Sequence, residues 1–225
     1  MENMEETEKQ YGKKVPKNPI KFSIQLSDEQ KIAKSIAINT PVSIFMGMVG
    51  SGKTLTACQI ALDLLFRADK SKIVITRPTV GTEDNGFLPG TFQEKMEPWM
   101  IPIKDNLRKV YNKPDKLKSM ESDGTLELVS LAHFRGRTFD DCVCIVDEFQ
   151  NLTKSQLTMA IGRLGKNSIM IFCGDNKQID LRYPEDSAVH LIHKFIDCKY
   201  VYVTSFTENH RHPALTEILN CLDKK

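Results

Sequence analysis

Short β-branched and aliphatic runs alternate along the chain with longer stretches in which apolar residues recur every third or fourth position. The runs Val42–Met46, Lys72–Thr76, Leu126–Val129, Val143–Asp147, Ile169–Cys173 and Lys199–Thr204 predict strands. Several are apolar almost throughout, the pattern of strands covered on both faces. Helical spacing predicts Asp28–Ile38, Lys53–Arg67, Phe92–Val110, Ser155–Leu164, Ser187–Phe195 and Ala214–Leu222. The second helix is apolar nearly all round and should lie deep. Pro98 and Pro102 should kink or split the third, since proline lacks the N–H and crowds the preceding turn. Strands and helices in alternation predict an α/β fold, a parallel sheet sandwiched by helices. The stretch Pro78–Gly90 is aperiodic and rich in Gly and Pro, a loop long enough to need a reason. Residues 1–19 carry four Glu, four Lys and two Pro with few apolar groups. They predict a disordered tail ahead of a single domain over 20–225.

Composition narrows the class without naming a function. The 225 residues hold 31 Lys plus Arg and 29 Asp plus Glu, a formal charge of +2. A histone-like polycation is excluded, because such binders rely on a large basic excess; a local basic groove is not. No apolar run approaches the roughly 18 residues of a membrane helix. The N-terminus has no apolar core of the kind a secretory signal needs. Six cysteines (58, 142, 144, 173, 198, 221) stand mostly in apolar stretches with no C-x-x-C pair. They predict small buried hydrophobes in a reducing cytoplasm, neither a disulfide framework nor a zinc site.

The chemistry-bearing segment follows the first strand. Gly47-Met48-Val49-Gly50-Ser51-Gly52-Lys53-Thr54 matches G-x-x-x-x-G-K-[ST] between a predicted strand and a predicted helix. Three glycines let the backbone curl so that successive N–H groups face phosphate oxygens, and the helix start adds its positive end. Lys53 would reach the β- and γ-phosphates and the Thr54 hydroxyl would ligate Mg2+. With Leu55, these residues form the expected ATP-contacting run.

A P-loop needs an acidic partner at the end of a buried strand. Val143-Cys144-Ile145-Val146-Asp147-Glu148 supplies one: Asp147 for Mg2+, and Glu148 to orient or deprotonate the attacking water. Gln150 extends the run to D-E-F-Q. Past another strand lies Gly174-Asp175-Asn176-Lys177-Gln178, where Gln178 or Asp175 would contact the γ-phosphate. Asn176–Asp180 is one residue too long for the guanine-reading N-K-x-D, so ATP rather than GTP is expected.

Taken in order, these segments resemble the PhoH-like family, single-domain relatives of superfamily-one helicase motors. The resemblance spans roughly 22–222. It rests on Gly47–Thr54, Thr76-Arg77-Pro78, Gly86-Phe87-Leu88-Pro89-Gly90, Arg135-Gly136-Arg137-Thr138, Asp147–Asn151, Gly174-Asp175 with Gln178–Leu181, and Arg211-His212-Pro213. It implies a RecA-like P-loop NTPase core with ATPase activity, a ring-shaped homo-oligomer and a role in RNA metabolism. By motif match, Gln30 would read the adenine edge. Phe149 stands where the family usually has Ala. No additional N-terminal RNA-binding domain is expected, which leaves nucleic-acid binding to the core.

Related helicases place ATP between two RecA-like domains, one lending an arginine, whereas this chain has residues for one. A neighbouring subunit is therefore the expected donor, in a head-to-tail ring, hexameric by the family pattern. Arg211 and Arg163 are candidates, with Arg182 a third. RNA or single-stranded DNA would meet Arg77, Arg135 and Arg137, with Phe87 and Phe134 stacking bases. The rival readings are a nucleoside kinase of thymidine-kinase type and a nucleotide-gated binding module. The first usually carries a C-x-x-C zinc region, absent here.

Overall fold

The computed structural model describes residues 20–79 and 92–212, with Ala214, Glu217, Ile218 and Cys221 beyond them. The tail expected over 1–19, most of the loop up to Gly90 and most of the helix expected over Ala214–Leu222 lie outside the described residues.

Six strands, β1 (Val42–Gly47), β2 (Lys72–Arg77), β3 (Leu126–Ser130), β4 (Cys142–Asp147), β5 (Ile169–Gly174) and β6 (Val201–Phe206), pair in the order β3-β2-β4-β5-β1-β6. Every pairing is parallel. The inner strands β4 and β5 are buried at each position, whereas the edge strands β3 and β6 are largely half-buried. Alternation within the apolar runs divides two cores. Val143 and Ile145 join a core capped by α1 (Asp28–Ala37), α2 (Lys53–Phe66), α3 (Phe92–Val110) and α4 (Pro114–Ser122). Cys144 and Val146 face the other, under α5 (Lys154–Ile161) and the 3₁₀ segment Ala188–Phe195. This is the sandwich that strand hydrophobicity demands, since neither sheet face can be left wet.

Three expectations need correcting, and one helix went unread. The third helix is not split at Pro98 or Pro102 but runs through both as one element, and the Pro102 carbonyl is taken up by the Asn106 side-chain amide. The α4 helix went unread because only Leu117 and Met120 of it are buried, too few to set a period. Ser187–Phe195 is a 3₁₀ segment begun by Ser187, whose hydroxyl accepts the Val189 N–H. The last strand starts two residues late, because Cys198–Val201 closes a turn and Val42 N–H bonds Tyr200. Cys58, Cys142, Cys144 and Cys173 are buried, and Cys198 and Cys221 are exposed. No helix among the described residues is long and apolar enough to cross a membrane.

Candidate active site

Between β1 and α2 the chain turns through Gly50 (φ +88°) and Gly52 (φ +80°), left-handed values that a Cβ would penalise. Gly52 is the N-cap of α2 and offers no side chain to close its first amides, which leaves them to an anion. Lys53 sits at the first helical position. Its Nζ donates to the Gly47 carbonyl at 2.7 Å and the Met48 carbonyl at 3.0 Å, so the ammonium rests inside the loop that would cradle phosphate. A cavity of 510 Å³ opens beside Gly47 and Met48, walled by Asn176, His190 and Thr207.

The carboxylate partner comes from two strands away. Cys173 of β5 is level with Phe45 of β1 on one side and with Asp147 of β4 on the other. Two strand spacings of ~4.8 Å separate Asp147 from β1. Thr54, on the first turn of α2, bridges that gap, its hydroxyl donating to Asp147 Oδ1 at 2.6 Å. Asp147 is 4% exposed. Burial, and secondarily the charge of Glu148, push its carboxyl up to about 6, while the Thr54 bond works the other way. At neutral pH the site therefore holds a buried negative charge with one hydroxyl beside it. A hard cation with oxygen ligands suits that pair, so Thr54 and Asp147 fit Mg2+.

Glu148 adopts φ +52°, a left-handed value rare outside glycine, which turns its side chain off the strand line. Its Oε1 accepts from Arg77 Nη2 at 3.4 Å and its Oε2 from Gln150 Nε2 at 2.7 Å. Gln150 is fully buried and acts as a hub. Its Nε2 also donates to the Gln178 carbonyl at 2.9 Å, its Oε1 accepts the Asp175 N–H at 3.1 Å, and its carbonyl accepts from Ser187. The segment after β5 is thus tied to Glu148 through one amide. D-E-F-Q named the residues, but nothing in the sequence showed that Gln150 would reach that segment.

A second set of contacts covers the P-loop from the other side. Gln30 Nε2 donates to the Ser51 carbonyl at 3.1 Å and its Oε1 accepts the Ser27 N–H. Glu29 accepts the N–H groups of Thr207 and Glu208. The His210 N–H bonds the Gly50 carbonyl at 3.0 Å. Any side chain at Gly50 would press on Asn209 and on the stem of Arg211. Residues 207–211 therefore form a strap fastened to both α1 and the P-loop. Glu29 was invisible as a fastener, since an acid in a first helical turn reads as an ordinary dipole partner.

The PhoH-like protein family model matches residues 24–223. A PhoH-like protein of Bacillus subtilis (strain 168) is 35% identical over 227 residues, covering 99% of this chain and 71% of that protein. The chain belongs to the PhoH-like family. Another PhoH-like protein, from Mycobacterium leprae (strain TN), is also 35% identical, over 86% of this chain but only 56% of its own length. The chain thus spans little more than half of that relative. The large terminase of the thermophilic bacteriophage D6E shares the fold, with TM-score 0.58 at 12% identity over 90% of this chain and 51% of the terminase.

In this PhoH-like chain several expected residues stand elsewhere than foreseen. Gln30 is 3% exposed with both amide ends engaged within the chain, where it braces the P-loop. The stem of Arg211 lies beside Gly50 of its own P-loop, and the residue is exposed. Arg163 spends its fork on the carbonyls of Met159 and Arg137. Arg182 is exposed, its guanidinium over the Tyr183 ring. Gln178 enters the network by its main-chain carbonyl, whereas Asp175 is buried and accepts the Lys177 N–H. Arg77 ends β2 beside Glu148. Arg135 is exposed, whereas Arg137 pairs with Glu127 at 2.7 Å and stacks on Phe139. Phe134 is fully buried and cannot stack a base. Phe87 lies outside the described residues. Phe149, the departure from the family pattern, packs edge-on to Phe172 against Gly174, where a Cβ would strike its ring.

Proposed function

We propose that this chain is a Mg2+-dependent ATPase whose turnover is coupled to a single-stranded polynucleotide, RNA or DNA, in a ring-shaped homo-oligomer of a reducing cytoplasm. The observation that carries the ATPase reading is the 2.6 Å bond from Thr54 of the P-loop helix to buried Asp147 at the end of β4. It joins the phosphate cradle to an acid two strands away, an arrangement with no packing purpose of its own. Bound there, Mg2+ would neutralise charge on the β- and γ-phosphate oxygens. Lys53 would leave its two resting carbonyls for those phosphates. Glu148 would take a proton from the attacking water as the water oxygen bonds to the γ-phosphorus. The bond to the β-phosphate oxygen then breaks and ADP departs with its electron pair. Arg211, on the strap over Gly50, would neutralise phosphate charge.

The polynucleotide part of the proposal is supported by two cations at the same end of the sheet: Arg77, the last residue of β2 and level with Ser130 of β3, and exposed Arg135, just past the 3₁₀ turn Leu131–Phe134 that follows β3. The ring reading draws on the 510 Å³ cavity open beside Gly47 and Met48, where a second copy would close the site with an exposed arginine such as Arg182 crossing to it. Phosphate release from ATP, measured with and without single-stranded RNA over a protein dilution series, tests all three parts. Turnover that rises with RNA and falls on dilution to monomer is expected. Turnover indifferent to RNA removes the coupling, and turnover unchanged in a proven monomer removes the ring.

A further inference from the structure

We infer that Arg77 is a polynucleotide-released brake on Glu148, an inference that rests on the ATPase reading above and specifies how that site is regulated. The register Thr76 to Val146 makes β2 and β4 neighbours that end together, so Arg77 stands beside Asp147 and can reach the next residue. Glu148 is held by two partners of unequal quality. Gln150 is buried, fixed at three further points, and bonds Oε2 at 2.7 Å. Arg77 bonds Oε1 at the long distance of 3.4 Å, with both side chains still a fifth or more exposed. Geometry therefore makes Gln150 the pivot and Arg77 the releasable arm.

The engaged carboxylate is held in one orientation, with a guanidinium on Oε1 and an amide on Oε2 taking two of its roughly four acceptor sites. The same guanidinium lies where a phosphate chain would pass. Arg135 is exposed just past the 3₁₀ turn Leu131–Phe134 that follows the adjoining strand, whereas Arg137 is withdrawn into its pair with Glu127. A phosphodiester reaching Arg77 competes with Glu148 for one fork of donors, and phosphate matches that fork at least as well as carboxylate does. Glu148 released from Oε1 pivots on Gln150 toward the attacking water. In the absence of polynucleotide the brake holds turnover low.

Arg77→Ala tests this in the full chain by phosphate release from Mg2+ and ATP, first without and then with single-stranded oligouridylate. Basal turnover should rise about two- to fivefold, the worth of a partly exposed ion pair. Added oligouridylate should then stimulate the variant less than it does the wild type. Arg77→Lys keeps the charge and loses the fork, so its basal rate should fall between the two; it carries the same test should the alanine variant not fold. A basal rate equal to or below wild type overturns the inference while leaving the ATPase reading standing. A wild type that turns over ATP but ignores the polynucleotide also overturns it. Absence of turnover in every protein, unaltered by Glu148→Gln, overturns the ATPase reading and this inference together.

Discussion

At the N-terminal ends of the strands, polar groups are spent on the fold. Ser168 donates to the Phe139 carbonyl and accepts the Cys142 N–H, Asp140 accepts the Lys166 N–H, and Arg163 ties two carbonyls. At the C-terminal ends the groups are kept in reserve. Lys53 rests on carbonyls it can leave, Asp147 holds a buried charge against a single hydroxyl donor, and Glu148 sits in a left-handed backbone between a firm and a loose partner. The same sheet thus has one end that contributes stability and one that costs it. Chemistry belongs where polar atoms are incompletely satisfied by the protein itself.

That contrast breaks if the two ends respond alike to substitution. The largest effect is expected at Lys53. Lys53→Ala should lower ATP turnover roughly 10²–10³-fold, as loss of one preorganised charge-stabilising donor does, with little change in melting temperature. Asp147→Asn should come next, and in the opposite sense for stability. The folded carboxyl titrates at about 6 and the unfolded one near 3.8. Above about pH 6 folding therefore bears the full cost of an ionised buried acid, and this cost disappears as pH falls from 6 toward 4. The nucleotide-free Asn variant should be more stable at pH 7.5 by up to about 3 kcal/mol. Urea titrations across pH should show that advantage gone near pH 4. An Asn variant less stable at pH 7.5 would mean that Asp147 belongs to the scaffold. Smallest is Ser168→Ala at the other end. It leaves the buried Cys142 N–H short of a partner and should cost about 1–3 kcal/mol by denaturant titration, with turnover per folded molecule unchanged.

How much of this was legible in the chain follows the same division. The P-loop and the Asp147–Glu148 pair were readable because their chemistry requires fixed residue types at fixed spacing. The sheet was readable because strands buried on both faces need unbroken apolar runs. The partners were not. Gln30 carries the side chain an adenine reader would have, yet its amide is consumed by Ser51 and Ser27, a fact decided by how α1 packs on the P-loop. Arg137 and Arg135 are two residues apart and look equivalent; only the fold places Glu127 beside one of them. Nothing local to Arg211 shows that the strap after β6 folds back over Gly50. Long-range pairing escapes periodicity, and side-chain amides and guanidinium groups are where that matters most.

In the proposed mechanism Asp147 and Glu148 steer cleavage of a nucleotide held by Lys53 and its loop. Glu148→Gln tests it most directly, with ATP affinity and phosphate release measured on the same preparation. Affinity should stay within a few-fold of wild type while release falls about 10²–10⁴-fold, the range for loss of a general base. Phosphate release at the wild-type rate from that variant would contradict the account.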